Sequence, residues 1–216
     1  MRAICALLVL CLAPAARAAN ERHLVDEVVA VVEAHSITLS EVAAETRVRL
    51  VASQGPGAVA APMDHRILAA SLRRTIEERV VLSELQRLKL FDLEQGEMDS
   101  LLARFRARFA SESDYESFTR LVELTDEEIG GILARELRVA RYLDNRLKLA
   151  AQLRDSELEE AAKGVRLSAL EREALRARLS QEKYQRLLSE LLTDLRKRAT
   201  VRVLDPLDGP TVASER

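Results

Sequence analysis

Tryptophan is absent from this chain, and three Tyr and four Phe make up only 3% of its 216 residues. A sandwich or barrel core draws on aromatic and β-branched strands, so their scarcity, beside abundant Leu, Ala, Arg and Glu, points to long helices. Glycine is also rare, with seven residues, and no Gly-x-x-x-x-Gly-Lys-Ser/Thr, Gly-x-Gly-x-x-Gly or Gly-x-Ser-x-Gly pattern occurs. Phosphate loops, dinucleotide folds and the hydrolase elbow therefore have no support. The three histidines, His23, His35 and His65, lie far apart and form no metal-ligand spacing, so no metal ion and no cofactor is expected.

Cysteine is confined to Cys5 and Cys11. Both fall inside Met1 to Ala18, where Arg2, an apolar run from Ile4 to Leu12 and the small-residue site Ala16, Arg17, Ala18 read as a secretory signal. The run is too short to span a membrane, which takes about 20 residues. Cleavage after Ala18 leaves a chain without thiols, which excludes disulfides, thiolate metal sites and cysteine nucleophiles. Without Arg2 and Arg17, 31 basic residues face 35 acidic ones, a formal charge of −4. The signs interleave, so neither nucleic acid nor an anionic membrane surface is an expected partner, and no stable membrane insertion is expected after signal cleavage.

Against this helical background one stretch is rich in β-formers. Val28, Val29, Val31 and Val32 form a stiff, pleat-compatible run, and Glu33 to Ser36 break it. Ile37 and Thr38 offer a short return strand, and Thr38 with Glu41 reads as a capping box opening a helix. A two-stranded hairpin is marginal in water and needs another partner. The one comparable cluster outside the leader is Thr200 to Leu204, so residues 28–33 are expected to pair near 200–204. The expected fold is mostly α: a multi-helix module with a small β-sheet joining the N-terminal hairpin to the C-terminal strand. It occupies 19–204, and Asp205 to Arg216 reads as a disordered tail.

Between the two ends, helices are expected over Ser40 to Ala52 and Met63 to Leu90, separated by a loop with two Gly and two Pro. Arg73, Arg74, Glu77, Glu78, Arg79 and Glu84 read as the solvated face of the second. Asp92 with Gln95, Ser113 with Glu116, Thr125 with Glu128, Ser156 with Glu159 and Ser168 with Glu171 read as caps of five more. The closing helix runs over about 168–198, ending in Arg196, Lys197 and Arg198. Gly130 and Gly131 weaken the helix after Thr125, for which close approach of another helix is the expected reason. Paired carboxylates sit in first turns or on charged faces, and no catalytic residue is assigned. Phe91, Phe105, Phe109, Tyr115 and Phe118 concentrate in the middle third. Helical spacing makes core packing one reading, and an apolar cleft that accepts extended client segments the other.

The order of elements resembles the N-terminal module of the SurA-like periplasmic chaperones. The resemblance rests on the leader, on Val25, Asp26 and Val28 to Val32, on Ile37 to Val42, and on a long helix with Leu72, Ile76, Glu77 and Val80. It continues through Asp126 to Leu147 and Tyr184 to Leu204. It implies a periplasmic, ATP-independent holdase for unfolded outer-membrane proteins, with the five aromatics as candidate client-binding residues. Members of that family commonly insert parvulin-type prolyl-isomerase domains of roughly a hundred residues before the closing helix. Only about twenty residues, Leu149 to Ser168, occupy that position here, so no isomerase activity is expected. The alternatives are a non-catalytic envelope module docking one folded partner and, last, a peptidyl-prolyl isomerase.

Overall fold

The computed structural model describes residues 26–60, 62–90, 92–165 and 167–207. The leader with Cys5 and Cys11, Phe91, and the tail beyond 207 lie outside the described residues.

Strands β1 (Val28–Val32) and β2 (His35–Thr38) pair antiparallel, with Ala30 opposite Ile37, Val32 opposite His35 and an irregularity between Val28 and Ala30. Glu33 turns the chain at φ +53°, the left-handed region. Strand β3 (Val201–Val203) takes the other edge of β1, Ala30 opposite Val203 and Val32 opposite Val201, so the sheet order is β2-β1-β3. The two ends of the chain thus meet as the sequence predicts. Glu33 reinforces the join twice: its N–H donates to the Thr200 carbonyl at 2.8 Å, and its carboxylate accepts from the Thr200 N–H at 3.0 Å.

Seven α-helices stand among the described residues between β2 and β3: α1 (Leu39–Gln54), α2 (His65–Leu88), α3 (Gln95–Arg106), α4 (Glu112–Val122), α5 (Asp126–Leu147), α6 (Asp155–Ala162) and α7 (Ala169–Arg198). Thr38, Thr125 and Ser168 cap α1, α5 and α7 as expected, each hydroxyl accepting the N–H three residues on. Asp26 adds a second anchor at α1, its carboxylate accepting from the Ser40 N–H at 3.2 Å and from the Ser40 hydroxyl. The other three caps shift by two residues. Helix α3 starts after Glu94, whose N–H is capped by Glu97 at 3.4 Å. Helix α4 starts after Ser111, which accepts from the Asp114 N–H at 3.2 Å. Helix α6 starts after Arg154, whose N–H donates to Glu157 at 2.7 Å, leaving Ser156 inside the helix. Helix α6 occupies the short segment between α5 and α7.

The helices enclose two apolar cores. One gathers Val29, Val32 and Ile37 from the sheet, Leu72, Ile76, Val80 and Leu85 from α2, Tyr142 from α5 and Leu195 from α7. Fully buried side chains such as Ile37, Leu72 and Leu85 each contribute about 1.5–3 kcal/mol by leaving water. Leu207 also enters this core at 6% exposure, and the N–H groups of Leu204 and Asp205 both donate to the Val29 carbonyl. Ordered packing therefore continues to Leu207, past the boundary at 204 that the sequence suggests. The second core joins Val48 and Val51 of α1 to Phe105, Tyr115, Phe118, Ile129 and Ile132 of α3, α4 and α5. Helices α1 and α5 feed both.

Candidate functional site

The aromatic group lies in the second core. Rings of Phe105, Phe109, Tyr115 and Phe118 stack edge-on or tilted with centroids 5.3–6.5 Å apart. Phe105, Tyr115 and Phe118 are 2%, 3% and 4% exposed, and Phe109 is half-buried. Arg106 covers the Tyr115 ring at 4.7 Å, and the phenol hydroxyl donates to Asp126. Burial and that bond push the phenol upward from its ordinary value, so the ring stays neutral. Of the five residues named as client-binding, four meet in space, but as core, and Phe91 lies outside the described residues. The four described rings pack as core, Phe109 with part of its surface in solvent.

A second feature corrects the sequence reading more sharply. Glu78 and Arg79 of α2 do not lie on a solvated face: Glu78 is 6% exposed and the Arg79 side chain 12%. They belong to an ion cluster at the junction of α1, α2 and α5, which along α5 falls between the residues feeding the two cores. Arg49 is its hub, donating to Glu45 at 2.7 Å, Glu78 at 2.9 Å, Glu136 at 2.9 Å and the Thr75 hydroxyl at 3.2 Å. Arg79 donates to Glu41 at 2.5 Å and Glu45 at 2.7 Å, Arg135 donates to Glu45, and the exposed Arg74 approaches Glu136 at 3.4 Å. Burial raises the Glu45 carboxyl, but Arg79, Arg49 and Arg135 together outweigh it and hold the group below its ordinary value. Glu78 moves the other way, because burial, aided by the neighbouring Glu45 charge, exceeds the pull of Arg49. Among the described residues its Oε1 has no hydrogen-bond partner, and neither do Arg79 Nη1, 3.7 Å from it, or Arg135 Nε, 4.0 Å from it. The pair Glu45 and Arg49, one turn apart amid Val42, Val48 and Val51, is the trace such a cluster leaves in sequence.

Beside the cluster, helix α7 crosses α2 and α5 without sealing against them. Leu188 and Leu192 separate two grooves. One, about 310 Å³, is walled by Val81, Val139, Ala140 and Leu143, with Arg74, Glu78 and Glu136 at its polar end. The other, about 390 Å³, lies over Ile76 and Val80 and is bordered by Glu77, Gln185 and Arg196. Only Leu195 of α7 is buried; Leu175, Leu179, Leu187, Leu188, Leu191 and Leu192 keep part of their surface in solvent. Neither groove lining contains an aromatic ring or a histidine. Such walls can take up apolar side chains of a chain segment by area burial. Among the described residues, no three His, Cys, Asp or Glu side chains cluster as metal ligands, and no helix is long and apolar enough to cross a membrane.

No protein-family model matches the chain, and no curated protein matches it in sequence.

Proposed function

We propose that the protein is an ATP-independent holdase of the periplasm that binds unfolded polypeptides, outer-membrane proteins foremost, through the leucine-lined grooves flanking α7. The observation that carries this reading is the pair of open grooves on either side of Leu188 and Leu192, where the closing helix leaves leucine surface uncovered. The order of elements, which resembles the SurA-like module, supports the same reading. Each groove has room for the side chains of a short extended segment. Binding is weak per site, since ordering an unfolded client opposes the area buried, and weak binding suits release. No bond is made or broken in this function, and no isomerase turnover is expected.

The test is light scattering of an unfolded β-barrel protein diluted into buffer with residues 19–216. Suppression of aggregation at several-fold excess is expected, and Leu188→Asp, which places a charge between the grooves, should abolish most of it while the fold persists. Unchanged aggregation with the parent chain sinks the proposal. Burial of the aromatic group favours a second reading, a module that docks one folded envelope partner. Crosslinking in cells separates the two: many unfolded outer-membrane proteins support the holdase, and one stoichiometric partner supports the docking module.

A further inference from the structure

A third concavity, about 540 Å³, opens between the first turns of α1, the α4–α5 connection and the start of α5, and it shares no lining residue with the α7 grooves. Its floor is apolar, with Ala44, Val122 and Ile132 buried and Leu124 half-buried. Its rim is carboxylate. Glu123 and Glu127 are exposed there and make no ion pair or side-chain hydrogen bond among the described residues.

Two observations say what such a cavity takes. Its inner end already holds a cation of the chain itself, Arg135, whose guanidinium donates to the buried carboxylate of Glu45. Lastly, α5 keeps Gly131 in the lining, a residue that weakens a helix interior relative to alanine. No neighbouring helix demands it: a Cβ on Gly131 meets only Arg135 Nη1 at 3.7 Å, and one on Gly130 meets nothing within 4 Å. The close helix approach expected from the sequence is therefore not the reason for this pair. The bare backbone at Gly131 leaves the cavity open.

We infer that this cavity docks a lysine or arginine side chain carried on an extended segment of a partner polypeptide. The aliphatic stem lies on Val122, Leu124 and Ile132, and the cationic head meets Glu123 and Glu127. An acidic segment is repelled at the same rim, so the site selects by charge as well as by shape. The site stands independently of the α7 grooves.

Fluorescence anisotropy of residues 19–216 with a labelled peptide of alternating lysine and leucine tests this, against the counterpart with glutamate for lysine. The lysine peptide is expected to bind at least about tenfold tighter, and added salt weakens it. Gly131→Met, which fills the cavity without altering charge, and Glu123→Gln combined with Glu127→Gln, which removes the rim charge, should each weaken binding by about tenfold or more. Glu182→Gln, an exposed change on α7 outside the three linings, should leave it unchanged. Equal binding of the two peptides overturns the proposal. So does parent-like binding by a folded Gly131→Met chain, which assigns the attraction to general surface charge. Circular dichroism reports folding, and if Gly131→Met fails to fold, the glutamine pair decides, with parent-like binding overturning the site.

Discussion

Arg49 holds side chains from three helices at once, and its removal strands more charge than it frees. Glu45 and Glu78 are nearly excluded from water, so Arg49→Ala leaves carboxylates buried with one fewer cation. A loss of roughly 3–5 kcal/mol is expected, equivalent to about 6–20 °C in Tm for a domain of this size. Thermal unfolding followed by circular dichroism measures it. Replacing Glu45, Arg49, Glu78, Arg79 and Arg135 together by apolar residues of similar volume should cost less than the single change, because the only charged groups that then lose a partner are the half-buried Glu41 and Glu136. The pH response separates the two carboxylates. The folded pKa of Glu45 is depressed below 4.5, so its contribution is present above 4.5 and lost as pH falls through the folded value. The folded pKa of Glu78 is raised above 4.5, so its contribution is present below 4.5 and lost as pH rises through the folded value. Urea unfolding from pH 2 to 8 should therefore show Glu78→Gln losing the decline on the alkaline side of 4.5, whereas Glu45→Gln loses the acid limb. The hub was hard to read in the sequence because Glu78 and Arg79 carry the same i, i+3 and i, i+4 charge spacing as a wet helix face. Their burial depends on which neighbours α2 meets, and that is a tertiary fact.

At the scale of elements, local chemistry was legible wherever a hydroxyl residue capped a helix on its own. Thr38, Thr125 and Ser168 did so, whereas Ser113 and Ser156 lay inside helices already opened by Ser111 and by Glu157. Helix ends were harder still. Helices α2, α4 and α6 stop on Lys89, Glu123 and Lys163, each in the left-handed conformation that glycine usually marks, so composition signalled little. The sheet was the clearest element, since two β-branched clusters in a helical sequence had few other partners. Its true end was not, because Leu207 follows Pro206 in a segment whose composition reads as tail. The structure gives that leucine a measurable role. Leu207→Ala should cost about 2–3 kcal/mol, as for a buried leucine, where a disordered tail residue would cost nothing. Urea denaturation distinguishes the outcomes.

Across the whole molecule, the aromatic cluster and the grooves divide labour in a way the sequence left open. The rings, the conspicuous feature of the middle third, build the second core, and the open apolar surface comes instead from leucines of α7. Periodicity names the apolar stripe of a helix; the depth to which a partner covers it is set by packing angles that periodicity does not encode. Apolar coverage along α7 is uneven, complete only at Leu195 beside the sheet, which makes that end its apolar anchor, while ion pairs to α6 hold its first half. Deleting residues 200–207 removes that anchor along with one edge of the sheet, and cooperative unfolding of the first core is expected rather than a trimmed end. Loss of a sigmoidal urea transition tests this.

The hydrogen bonds between Glu33 and Thr200 join residues 167 positions apart. A chain leaving a ribosome or passing through a translocation channel exposes β1 first and delivers its second sheet partner last. Contacts of such sequence separation form slowly, and this one cannot form at all until β3 has emerged. Completion of the sheet is thereby tied to arrival of β3, so chains arrested before Val201 should remain open to protease while chains that include it resist.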